Sequence, residues 1–133
     1  LPHCAWFIGG GNPALTPDEV RALIRQADVV VVPSQQGKGL PSEGRPHIIN
    51  QALVAGRPVV GGPNHAVVDA LEDADQLAVY DGSAQTLAVA VETALREEPR
   101  KRLVRDALKH GKRFGWSTAL SGWEREIEAA LGA

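Results

Sequence analysis

Residues Ala27 to Gly62, ADVVVVPSQQGKGLPSEGRPHIINQALVAGRPVVGG, read as strand, loop, helix and strand in one unbroken unit. Val29 to Val32 is a continuous β-branched run rather than an alternating one. That is the pattern of a strand covered on both faces by helices in a parallel sheet. Gln35 to Ser42 carries Gly37, Gly39 and Pro41 without periodicity and is a loop. Ile48, Ile49, Ala52 and Leu53 form the apolar face of a helix that starts within Glu43 to Ile48. Pro46 suits its first turn, Gly56 suits a left-handed cap at its end, and Pro58 to Val60 is a second buried strand. Such a unit sets a helix N-terminus beside the carboxyl end of a strand, where unpaired amides and the helix dipole converge. In an open α/β sheet that is where phosphorylated ligands settle, so a nucleotide is the expected ligand.

Outward from this unit, β and α elements keep alternating. Ala5 to Ile8 reads as an opening strand. Thr16, Pro17, Asp18 and Glu19 make a capping box with proline at the first helical position, so a helix is expected from Pro17 to Gln26. Gly61, Gly62 and Pro63 form a turn, followed by a short helix near Ala66 to Leu71 and a strand at Leu77 to Tyr80. Three helices close the chain. Ser83 caps the first, Pro99 starts the second and Ser117 caps the third. Leu120, Trp123, Ile127 and Leu131 share one stripe of the third, with Trp116 and Trp123 as packing anchors. The fold class is α/β, a Rossmann-like parallel sheet flanked by helices with a helical C-terminal tail. Four strands make a narrow sheet for that class, and one or two more are expected on the N-terminal side.

At 133 residues the chain suffices for one domain with a real core. The lone Cys4 excludes an internal disulfide framework and fits a reducing compartment, so the cytoplasm is the expected location. A net charge of -2 argues against a dedicated nucleic-acid binder. No apolar run is long enough to cross a bilayer, while surface contact with a membrane stays open. His3, Cys4, His47, His65 and His110 show no metal-ligand spacing, so a zinc site is not expected. No cofactor is expected either. The chain has no methionine and opens on LPHCAWFIGG, which suggests a piece of a longer protein cut inside a domain.

The motifs then become specific. Pro33 and Ser34 end the first buried strand, and EGRPHIINQALVAGRPVV follows from Glu43 to Val60. This resembles the donor-binding half of GT-B glycosyltransferases, most closely family 4 (group 1), whose hallmark is P-S and then E-G-F-G/P-x-x-x-x-E-A-x-x-x-G-x-P-V-V. WFIGG, QADVVVVPS and the FGWSTALSGWEREI tail extend the likeness over nearly the whole chain, as the latter part of that half. The G-R and K-G pairs that the family carries earlier are absent.

The resemblance implies transfer of a sugar from a nucleoside-diphosphate donor, with retention, to an acceptor held mostly by a missing N-terminal portion. It places the catalytic contact to the donor sugar on Glu43 and donor binding on Pro33, Ser34, Gly44, Arg45, Pro46, His47, Ile48 and Gln51. The amides of His47 and Ile48 would hold the diphosphate. Gln51 stands where the family has a glutamate for the ribose hydroxyls. Lys38 is either a substitute for missing positive charge on the diphosphate or a solvated loop lysine. Residues 1–133 would then be one nucleotide-sugar domain of a longer two-domain transferase. Two alternatives stay open: a sugar-nucleotide epimerase on the same architecture, and a non-catalytic binding or assembly module. The basic stretch Arg100, Lys101, Arg102, Arg105, Lys109, Lys112 and Arg113 reads either as a solvated helix face or as a surface for an anionic partner.

Overall fold

The computed structural model describes residues 14–35 and 46–132. The expected opening strand and the candidates Lys38, Glu43, Gly44 and Arg45 lie outside the described residues. The elements are α1 (Pro17–Gln26), β1 (Val30–Val32), α2 (His47–Val54), β2 (Val59–Gly61), α3 (His65–Asp73), β3 (Leu77–Ala78), α4 (Ala84–Leu95), α5 (Glu97–Gly111), a 3-10 turn (Lys112–Phe114) and α6 (Trp116–Leu131).

Local chemistry accounts for the ends of most helices. The Thr16 hydroxyl accepts from the Glu19 amide while the Glu19 carboxylate accepts from the Thr16 amide, the reciprocal capping box expected ahead of α1. Ser83 caps α4 through the Thr86 amide, as anticipated. Gly56 follows α2 at φ +66, where a side chain would also run into Leu108. The starts of α5 and α6 differ from expectation. α5 starts at Glu97 rather than Pro99, which a proline in the first turn permits, because the first amides of a helix have no partner within it. Gly115, not Ser117, occupies the cap position of α6.

The three strands pair in parallel in the order β1-β2-β3, with Val31 opposite Val60 and Val60 opposite Leu77. β3 is shorter than the expected run to Tyr80, and α3 is longer than Ala66 to Leu71. One apolar layer joins Val32 and Val59 to Ile24 of α1, Ile49, Ala52 and Leu53 of α2 and Val67 and Leu71 of α3. The other sets Val60 and Val79 against Ala94 of α4 and Leu103 of α5. This is the expected α/β class, a Rossmann-like parallel sheet with helices on both faces.

The coverage of β1 is less complete than its valine run implies. Val31 shares a face with Val60, but α4 packs over β2 and β3, and Val31 keeps 38% of its surface exposed. The α6 stripe of Leu120, Trp123, Ile127 and Leu131 forms as expected and is exposed along its length. Trp116 at 83% and Trp123 at 72% anchor nothing among the described residues. Periodicity shows that a helix has an apolar side and leaves the identity of what covers it open. No helix among the described residues is long and apolar enough to cross a membrane.

A side-chain cluster ahead of α4 sets a pH response. Asp81 accepts from the Thr86 hydroxyl and from the Ser83 amide at 3.0 Å, and these bonds hold its carboxyl below the ordinary aspartate range. A depressed folded pKa adds stability that is complete above the unfolded value of about 4 and is lost as pH falls through the folded one. Glu19 is lowered in the same way by the Thr16 amide. Urea midpoints measured from neutral to strongly acid pH should therefore fall on the acid side, and Asp81→Asn with Glu19→Gln should flatten that fall.

Candidate functional site

The carboxyl ends of the strands are stitched into one rim. β1 ends at Val32, and the exposed Pro33 follows with Ser34 half-buried beside it. The Gly62 amide donates to the Val32 carbonyl at 3.1 Å and the Asn64 amide to the Ser34 carbonyl at 3.0 Å. On the other side of β2, the Val79 amide reaches the Gly61 carbonyl at 2.7 Å. Asn64 is itself buried, and its side chain caps α3 through the Ala66 amide at 2.9 Å. Sequence pattern does not mark Asn64 as a rim residue, although an asparagine before a helical run is a recognisable cap signal.

α2 packs against β1, β2 and α5, and its first turn differs from those of most other helices. Thr16, Asn64 and Ser83 cap α1, α3 and α4 through their side chains, and α5 opens on Glu97 and Glu98. α2 has Pro46 at the cap position, no side-chain cap bond and no acidic residue in its first turn. The Ile49 amide donates to the Pro46 carbonyl at 3.1 Å. The amides of His47 and Ile48 have no acceptor among the described residues. Two N–H groups at the positive end of a helix, with no acceptor among the described residues, favour an anion.

Of the sequence candidates, the structure therefore places Pro33 and Ser34 on the strand rim and Pro46, His47, Ile48 and Gln51 on α2. The His47 and Gln51 side chains are both exposed and stand one turn apart. His65, like His47, is the first residue of its helix and is exposed. No group of three or more His, Cys, Asp or Glu side chains that could hold a metal occurs among the described residues.

Parallel strands joined by crossover helices define an α/β domain of Rossmann-like class. Residues 13–110 match the family model described as glycosyl transferases group 1. The chain belongs to that family. It is 32% identical over 111 residues to the D-inositol 3-phosphate glycosyltransferase of Thermomonospora curvata, an alignment that covers 82% of this chain and 24% of that protein. The chain thus spans about a quarter of the length of this curated relative. No solved structure gives a significant match.

Proposed function

We propose that this chain forms part of the donor site of a GT-B, retaining glycosyltransferase and binds the nucleoside-diphosphate portion of the sugar donor. The observation that carries the reading is the first turn of α2, where the His47 and Ile48 amides have no side-chain cap or acidic neighbour among the described residues, within the segment that matches the family. In this reading those amides take the diphosphate, Gln51 the ribose, Glu43 the donor sugar, and Pro33 and Ser34 the strand side of the ligand. Gly44, Arg45, Pro46 and Lys38 complete the donor-facing segment. Catalysis then rests on stabilising the departing nucleoside diphosphate, with no resident metal or cofactor, and on an acceptor positioned by the rest of a two-domain transferase acting in the cytoplasm. Inositol phosphate, named in the relative, is the first acceptor to offer to the longer protein. Gln51 in place of the motif glutamate favours a second reading, a donor-binding module without turnover.

One substitution isolates the amide. Pro46 has φ -63 and ψ 127, the backbone that a following proline requires, and proline is well tolerated at the first position of a helix. His47→Pro should therefore fold normally while removing a single donor. Titration calorimetry with UDP, GDP and ADP should show one of them binding, weakened by about tenfold or more in His47→Pro, the worth of one hydrogen bond to a charged group. His47→Ala keeps the amide and should bind as the parent does, whereas Glu43→Ala and Gln51→Ala should each weaken binding. Equal loss in His47→Pro and His47→Ala would move the contact from the backbone to the imidazole. Unchanged binding in every variant would remove α2 from the site.

A further inference from the structure

The seven cations between Glu97 and Phe114 face only three carboxylates, within a chain of net charge -2. The structure sorts them into two sets. Arg100 is tied to Asp28 at 2.7 Å, and Lys101 to Glu97 and Glu98 at 2.7 and 3.1 Å. The second set stands apart. Arg102, Arg105 and Lys109 fall within about 60° of arc on α5 at 100° per residue. They lie opposite the buried Leu103, Ala107 and His110, and Lys112 and Arg113 carry the charge past the helix end. Arg102, Lys109 and Lys112 have no acidic partner among the described residues. Arg105 meets only its neighbour Asp106 at 3.4 Å, and Arg113 reaches Asp73 at 3.6 Å.

Aliphatic surface accompanies these charges. Leu108, 48% exposed, lies over Gly56 at the end of α2, and Val54 on α2 is also exposed. We propose that this face of α5 docks the protein on an anionic lipid surface. Cations and exposed aliphatic side chains together suit a bilayer interface, which accepts both. A nucleic-acid backbone fits less well: it offers no apolar layer to the exposed Leu108 and Val54, and α5 itself carries no Phe, Tyr or Trp for base stacking.

The test is co-sedimentation of the chain with phosphatidylcholine vesicles, with and without phosphatidylglycerol, at low and high salt. Binding should require phosphatidylglycerol and weaken with salt. Arg102→Gln with Lys109→Gln should lower the partition coefficient about 25-fold, at about fivefold per cation. Lys101→Gln, whose charge already serves Glu97 and Glu98, should leave it nearly unchanged. Circular dichroism of each variant separates lost binding from lost folding. Absence of phosphatidylglycerol-dependent binding, equal binding by the double variant, or tighter capture by duplex DNA than by vesicles would each overturn the proposal. Nucleotide titration is unaffected by any of these outcomes, so the donor-site reading stands or falls separately.

Discussion

Gly62→Ala should lower the unfolding free energy by about 3 kcal/mol or more, the largest effect expected of an added methyl group among the described glycines. Gly62 has φ +127, a backbone region that side-chain-bearing residues rarely adopt, and an added Cβ would lie 2.0 Å from the Val79 carbonyl oxygen. The collision is with the Val79 backbone, so no rotamer change relieves it. Either the β2 exit or the Val79 segment must shift, and the Gly62 amide then leaves the Val32 carbonyl. Urea or thermal unfolding measures this directly, with a loss of about 10 °C or more expected for a chain of this size. The rim would move with the strand exit, so nucleotide binding should fall in the same variant even where it remains folded. A variant within about 0.5 kcal/mol of the parent, the usual range for a surface change, would mean that the strand exits are not clamped as described.

The second large effect lies at Gln76, which is 7% exposed yet makes three hydrogen bonds. Its carbonyl oxygen accepts from the Val59 amide at 3.0 Å, and its nitrogen donates to the Ala74 and Leu103 carbonyls at 3.2 and 3.1 Å. One side chain thereby joins the start of β2, the turn before β3 and the middle of α5. Gln76→Leu keeps the bulk but leaves a buried amide without an acceptor, so a loss of about 2–4 kcal/mol is expected from the orphaned groups. Gln76→Glu separates volume from chemistry. An ionised carboxylate can still accept from Val59 but faces two carbonyl oxygens with no hydrogen to give. Burial and those carbonyls should raise its folded pKa above the unfolded value. The raised value means that stability is recovered as pH falls and is lost as pH rises through the folded pKa. Denaturant midpoints of Gln76→Glu should therefore improve on mild acidification, whereas those of Gln76→Leu should follow the parent. Matching pH profiles for the two variants would remove the hydrogen-bonding role.

Much of the fold is legible in the amino-acid sequence, for a reason visible in particular residues. The Thr16–Glu19 box, the Ser83 cap and the left-handed Gly56 are settled within a single turn, because partner groups three residues apart in the chain must meet once a helix forms. The valine run of β1 announces a parallel sheet, and the strand–loop–helix order by itself sets a helix start near a strand exit. The same local reasoning misjudges the start of α5, since a proline is compatible with several positions in a first turn. On α6 the spacing reveals an apolar side without naming a partner for it.

Tertiary structure alone decided three things. It showed that α4 leaves Val31 partly open, that the Ser34 and Asn64 backbones join two strand exits into one rim, and that Gln76 serves the Val59 amide. Local sequence determines which residues form a helix, cap or strand, because those energies depend on neighbours within a turn. Which element covers a face, and which distant side chain satisfies a buried amide, depends on how the elements pack once chain entropy has been overcome, and that is a property of the assembled fold.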